Sequence, residues 1–173
     1  SPCGHAARNL DEAFALADKV TVITHNHPEG IKGAQATAAA IFLGRTGSSK
    51  EEIRSTIQER YGWDLTKTCS YWRERNRKRN EGAYNPLDVS GRMSLAINSV
   101  PPAILAFLES TDFESAIRLA VSVGGDSDTI AAMTGGIAEA AYGIPEHIRA
   151  VVDKKMKPQF IPIINTFTER YVK

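Results

Sequence analysis

The sequence predicts an all-α protein that folds as one compact domain of several helices. Apolar residues recur with the i, i+3, i+4 spacing of amphipathic helices along most of the chain. Two S/T-x-x-E segments have the form of helix capping boxes, and no segment shows sustained alternation of apolar and polar residues. A length of 173 residues suits a single domain with one hydrophobic core.

The first two helices follow from apolar patterning. Apolar residues from Leu10 to Val20 keep the helical spacing, which predicts a helix over residues 10–20. Residues 20–23, Val-Thr-Val-Ile, are also compatible with a short extended piece. The alanine-rich segment 31–45 has apolar residues on several sides, which predicts a buried helix packed closely against its neighbours.

Capping signals define two further helices. Ser49 and Glu52 have the spacing of a capping box, which predicts a helix that ends near Tyr61. Thr111 and Glu114 repeat the pattern, so the next capped helix is expected over about residues 112–123.

The remaining helices have weaker boundary signals. Residues 94–109 predict a helix despite two internal prolines, and residues 128–142 predict another. Gly135 and Gly136 each lower its helix propensity by about 1 kcal/mol, so they indicate a close approach between helices. Two short helices complete the prediction, at residues 146–153 and 159–171.

Composition limits the function classes. The formal net charge is +1, so no overall field would attract nucleic acid or an anionic membrane. No apolar run approaches the roughly 18 residues of a membrane-spanning helix, and no basic-then-apolar leader opens the chain, so a cytoplasmic protein is expected. Cys3 and Cys69 match no zinc or redox spacing and are expected to be reduced thiols.

Residues 66–92 depart from the helical pattern and are interpreted as a variable basic insertion in the domain. Their basic cluster runs from Arg73 to Arg79. Arginines suit bidentate phosphate contacts, and Tyr71 and Trp72 could stack on bases. The favoured alternative is a solvated surface loop or helix face, because charge runs usually only keep a surface hydrated.

The segment 124–129, Gly-Gly-Asp-Ser-Asp-Thr, places four polar residues between two apolar stretches. On a regular helix Asp126 and Asp128 would point about 200° apart around the axis. If Asp126 is instead the N-cap, with Asp128 and Thr129 in the first turn, three oxygens can converge on one point. One cap needs only one such residue, so the cluster favours a site for Mg²⁺, Mn²⁺ or Ca²⁺, while a simple helix cap stays open.

Known oxygen-ligand patterns narrow this hypothesis. The EF-hand loop does not fit, because Ile130 and Ala131 occupy its third ligand position and its glycine position. An aspartyl phosphotransferase with a D-x-D-x-[TV] motif is the less favoured enzyme class, because Thr129 follows Asp126 one residue too early. Mg²⁺ prefers about six oxygens, so two aspartates and one threonine amount to half a site.

A second polar stretch, residues 24–34, lies at a break ahead of the alanine-rich helix. It contains His25, Asn26, His27 and Glu29. These side chains could bind a metal or orient a polar ligand. The alternative is a hydrogen-bonded loop that sets the entry angle of the helix.

Three segments occur in the order of the middle and C-terminal signatures of a known family. They are "SPCG" at the start, "THNHPEGIKGAQA" at 24–36, and "VPPAILAFLESTDFESAIRLAVSVGGDSDTIAAMTGGIAEAAYG" at 100–143. On these segments the chain resembles the ADP-ribosylglycohydrolases, which include the dinitrogenase reductase activating glycohydrolase. The resemblance implies an all-α hydrolase that uses two Mg²⁺ ions, or Mn²⁺, to cleave the glycosidic bond between ADP-ribose and a protein side chain or small acceptor. An ADP-ribosylated protein or an ADP-ribose derivative is therefore the implied partner.

The resemblance also implies residue roles. The implied metal ligands are Asp126, Asp128 and Thr129. The implied substrate-binding residues are His25, Gly125 and Ser127. Asn26, His27 and Glu29 are implied to hold the loop around His25 in shape. In the implied mechanism, metal ions bind the ribose hydroxyls, position a water and offset charge near the anomeric carbon, while a carboxylate handles the proton.

In the family, the other metal ligands and the catalytic acidic residue precede the segment that "SPCG" resembles. The chain is therefore expected to be the C-terminal two-thirds of the family domain, completed by an N-terminal fragment or a second chain and inactive alone. Its start without methionine favours this expectation. Two alternatives stay open: a catalytically inactive ADP-ribose or nucleotide-binding module, and a structural protein on the same scaffold.

Overall fold

The computed structural model describes residues 1–80 and 96–172. These ranges contain α-helices and a 3₁₀ turn but no strand, which confirms the all-α prediction. The helices are α1 (Pro2–Ala6), α2 (Leu10–Thr21), α3 (Pro28–Arg45), α4 (Lys50–Tyr61), α5 (Cys69–Asn80), α6 (Ala96–Glu109), α7 (Phe113–Ser122), α8 (Ser127–Tyr142), α9 (Glu146–Lys155) and α10 (Ile161–Tyr171), with the 3₁₀ turn at Pro158–Phe160. Among them, none is long and apolar enough to cross a membrane.

The N-terminal end of α2 is set by a cap, because the side chain of Asn9 accepts a hydrogen bond from the Glu12 amide at 2.8 Å. Its C-terminal end shows that the extended piece considered for residues 20–23 is wrong. Val20 and Thr21 belong to α2, and the Val22 amide still donates to the Asp18 carbonyl at 3.1 Å. The i to i−4 hydrogen-bond pattern therefore continues through the β-branched run.

One of the two predicted capping boxes is confirmed and the other is displaced by one residue. Ser49 and Glu52 satisfy each other's amides at the start of α4, as expected. At α7 the N-cap is Asp112, not Thr111, and its partner is Ser115, not Glu114. Thr111 instead donates its hydroxyl to the Asp112 carboxylate. Asp112 lies one residue nearer the helix than Thr111, so its carboxylate is the group that accepts the helix amide.

The core surrounds α3, which contacts α1, α2, α4, α6 and α8. Its buried face consists mostly of alanines together with Ile41. Small residues allow close contact with α6: a Cβ on Gly33 would lie only 2.8 Å from the Cβ of Ala96. The predicted close packing of the alanine-rich helix is thereby confirmed.

The predicted close approach at Gly135 and Gly136 is also observed. A Cβ on Gly136 would lie 2.5 Å from the hydroxyl of Ser1, and one on Gly135 would lie 3.2 Å from Ile117. The first residues of the chain therefore pack directly on α8. On the other side of α8, the buried Thr134 hydroxyl donates to the Ala103 carbonyl of α6 at 2.9 Å.

Part of the predicted basic insertion is the helix α5, which packs on the core. Its residues Cys69, Trp72 and Asn76 are buried. Arg75 lies over the Trp72 ring at 4.9 Å and donates to the side chain of Asn98 at 3.0 Å. This packing exceeds what a purely solvated face would show. The interpretation of the Arg79 side chain and of residues 81–92 lies outside the described parts of the chain.

Candidate functional site

A cleft of about 630 Å³ lies between α2, α3, α6 and α8. It brings together His25, which follows α2, with Asp126 and Thr129 at the start of α8. Three of the residues predicted to form the site from two separate segments thus line one cavity. Its volume is within the range of small-molecule binding sites.

A turn of two glycines presents Asp126 to this cleft. Gly124 and Gly125 both have φ of +72°, a conformation that side-chain-bearing residues rarely adopt. Asp126 is the N-cap residue of α8, as predicted, and its carbonyl accepts from the Ile130 amide at 3.0 Å. Its side chain makes no capping hydrogen bond to the described residues of α8. Asp126 is half-buried and lines the cleft, and its side chain does not perform the role that the helix-cap interpretation requires.

The side chain of Asp126 lies beside that of Asp128 at the start of α8. The Asp126 side chain, which lies within hydrogen-bonding reach, is the main cause that holds the pKa of the Asp128 carboxyl below its usual range. Backbone amides, including that of Thr129, lower the pKa further. Because the shift is downward, Asp128 keeps its negative charge at neutral pH.

The remaining predicted residues at this junction occupy different positions. Asp128 and Gly125 are exposed and Ser127 is half-buried. None of these three is among the described residues that line the cleft. The predicted role of Gly125 and Ser127 beside the substrate therefore stays a prediction.

The opposite rim is the loop that ends at the first turn of α3. His25 is exposed, its ring nitrogen Nδ1 lies 2.9 Å from the Thr24 hydroxyl, and its amide donates to the Thr21 carbonyl at 2.7 Å. His27 caps α3 by accepting the Glu29 amide at 3.2 Å. These contacts agree with a shaping role for His27.

The wall between the two rims is apolar, and the sequence did not identify it as part of a site. It includes Ala17, Val20, Ala34, Val100 and Met133. In the sequence these residues belong to the apolar faces of predicted helices, where core and cleft positions share one pattern. No local signal separates the two.

The donor atoms at the junction are of the type that Mg²⁺ and Mn²⁺ prefer, but they are few. Asp126, Asp128 and Thr129 offer carboxylate and hydroxyl oxygens, whereas Mg²⁺ takes about six ligands. In the part of the chain that the structure describes, no group of three or more His, Cys, Asp or Glu residues could hold a metal ion. The oxygen atoms of these three residues are thus suitable ligands for a divalent cation, but they are too few to complete its coordination.

Fold and site together define an all-α protein with an acidic helix junction at the edge of an apolar, ligand-sized cleft. A sequence model of the ADP-ribosylglycohydrolases matches residues 1–171, and the chain belongs to this family.

Individual relatives are similar over most of this chain. An uncharacterized protein of Archaeoglobus fulgidus is 32% identical over 146 residues, which cover 82% of this chain and 46% of that protein. ADP-ribosylarginine hydrolase Tri1 of Pseudomonas putida (strain GB-1) is 29% identical, with coverage of 75% and 33%. The Tri1 protein of Serratia proteamaculans (strain 568) is 26% identical, with coverage of 89% and 40%. The chain thus spans between a third and a half of the length of these relatives.

Proposed function

We propose that this chain provides the ADP-ribose-binding cleft and half of the divalent-cation site of an ADP-ribosyl hydrolase. The observation that carries the proposal is the convergence of His25, Asp126 and Thr129 on one cleft. Two of the relatives are named ADP-ribosylarginine hydrolases, so ADP-ribose linked to an arginine side chain is the substrate to test first. The rest of the site is supplied by a further segment or a second chain.

Each rim of the cleft has its own role in this proposal. Asp126, Asp128 and Thr129 would hold a Mg²⁺ ion, which when bound would offset negative charge on the substrate and the water. The imidazole of His25 offers a ring nitrogen to the polar part of ADP-ribose. The apolar wall shields the glycosidic bond from bulk water, which strengthens electrostatic interactions within the cleft.

The helix-cap alternative has less support for Asp126. A capping aspartate accepts a hydrogen bond from an amide two or three residues later, and this side chain accepts none from the described part of α8. The aspartyl phosphotransferase alternative has no support from the family match.

Cation and ligand binding test the cleft directly. Calorimetry with Mn²⁺ and then with ADP-ribose should show binding to the wild-type chain. Asp126→Asn should weaken Mn²⁺ binding, because a neutral amide replaces a carboxylate. Asp11→Asn is the matched control: Asp11 is an exposed aspartate in the first turn of α2, away from the cleft. Equal Mn²⁺ affinity in the two variants would contradict a ligand role for Asp126 and favour a purely structural one.

Turnover distinguishes an enzyme from a binding module. The chain alone should release little ADP-ribose from an ADP-ribosylated arginine substrate, because its ligand set is incomplete. Adding the N-terminal segment of a family relative should restore Mg²⁺-dependent release. Robust turnover by the chain alone would contradict the half-site proposal, and binding without turnover in the complemented protein would favour the inactive module.

A further inference from the structure

The glycine turn at the candidate site is contacted by α5, a helix outside the cleft. Asn76 on α5 is only 7% exposed, and its side-chain Nδ2 donates to the Val123 carbonyl at 3.0 Å. Val123 is the C-cap of α7 and is followed directly by the two glycines. The hydrogen bond therefore holds the backbone at the point where the chain leaves α7.

The same side chain also packs on the turn itself. A Cβ on Gly125 would lie 3.1 Å from Nδ2 of Asn76 and 3.4 Å from its Cγ. The Asn76 amide group thus covers the backbone of Gly125, the residue before Asp126. One side chain contacts both the start and the end of the turn.

This contact bears on Asp126 because no backbone amide of its own helix caps its side chain. In the described structure the carboxylate makes no capping bond and lies beside the side chain of the exposed Asp128, so the backbone of the preceding turn sets where Asp126 enters the cleft. That turn has two residues at positive φ and would otherwise be free to sample other conformations open to glycine.

We propose that Asn76 is a positioning residue for the candidate site: it holds the Gly124–Gly125 turn and thereby sets where Asp126 enters the cleft. The function of Asp126 as a cation ligand rests on the proposed function above. Partners that orient ligand side chains typically change metal affinity by 10- to 100-fold when removed.

The matched control is a second side-chain contact between α5 and α7. Arg73 donates to the Ser122 carbonyl at 2.9 Å and to the Ser122 hydroxyl at 2.6 Å. Arg73→Met removes these bonds but leaves Asn76 against the turn. A role limited to joining the two helices would make both substitutions act alike.

The experiment compares Asn76→Leu with Arg73→Met in the full chain, using two readouts. NMR follows the amide resonances and hydrogen exchange of Gly124 and Gly125, and calorimetry gives the Mn²⁺ affinity. Asn76→Leu should move both glycine resonances, speed their exchange and weaken Mn²⁺ binding by about tenfold or more. Arg73→Met should leave the Gly125 resonance and the Mn²⁺ affinity near those of the wild type. If the leucine variant does not fold, Asn76→Ala removes the same bond without added volume.

The outcomes separate this inference from the proposed function. Unchanged glycine resonances in an Asn76 variant would overturn the positioning role, whether or not the Mn²⁺ affinity changes. A changed turn with Mn²⁺ affinity within twofold of the wild type would overturn it as well. If the wild-type chain binds no Mn²⁺, the proposed cation site fails, and the glycine resonances alone then decide whether Asn76 sets the turn.

Discussion

Gly33→Ala tests how closely α3 and α6 approach beside the cleft. The new methyl group would lie 2.8 Å from the Cβ of Ala96 and 3.1 Å from a methyl group of Val100. Both distances are shorter than the roughly 3.5–4.0 Å at which carbon atoms attract each other. Overpacking of this kind typically costs about 1–3 kcal/mol, whereas replacing a helical glycine by alanine gains about 1 kcal/mol. The net effect is a loss of about 0–2 kcal/mol.

Gly44→Ala in the same helix is the control. A Cβ there would lie 3.4 Å from the Cβ of Ala141, which is ordinary van der Waals contact. This variant should keep most of the helix-propensity gain of about 1 kcal/mol. The two variants should therefore differ by about 1–3 kcal/mol in the free energy of unfolding.

Thermal unfolding measures this difference. For a domain of this size, 1 kcal/mol shifts the melting temperature by about 2–4 °C, so Gly33→Ala should melt about 2–12 °C below Gly44→Ala. Equal melting temperatures would refute the argument, because they would mean that α3 and α6 have room for a methyl group at Gly33.

Three further predictions test the core, a buried thiol and the cation site. Thr134→Val should lower the free energy of unfolding in urea by about 1–2 kcal/mol, because the buried hydroxyl bonds to the Ala103 carbonyl. Thr166→Val, at an exposed site, should lower it by less, and equal losses in the two variants would contradict the prediction. Burial, with help from nearby Glu109, raises the pKa of Cys69 to about 12, so Cys69 should resist alkylation at pH 8 until the chain unfolds. Because the unfolded thiol ionises first, stability should also fall as the pH rises from about 9 to about 12. Fast labelling of Cys69 in the native chain, measured apart from labelling of the half-buried Cys3, would disprove both. Saturating Mn²⁺ should raise the melting temperature of the wild type, reversibly on chelation, and raise it less in Asp126→Asn; identical shifts would argue against Asp126 as a ligand.

Much of the helical architecture could be predicted because its signals are local. The capping pair of Ser49 and Glu52 and the apolar spacing between Leu10 and Val20 each involve residues within a few turns of one another. The second capping box shows the limit of such reasoning. Thr111 and Asp112 are both good capping residues, and only the backbone geometry decided that Asp112 takes the role.

The candidate site could be proposed from the sequence to the extent that its polar residues are concentrated in short segments. Asp126 and Asp128 stand out because a helix start needs only one such residue. Asn76 had no comparable signal, because a single asparagine within a basic run is ordinary on a surface. Its contact with the turn arises from the packing of α5 on α7, which brings together residues that are distant in sequence. Contacts of this kind depend on tertiary structure and leave no local pattern.

The central position of α3 limits how the cleft can respond to a ligand. This helix contacts α8, which carries Asp126, while its own first turn is joined to the loop that carries His25. At Gly33, α3 already lies so close to α6 that even an added methyl group would require a shift. Residues 22–26, which include His25, are instead exposed, so helix packing constrains them less than it constrains α3 and α8.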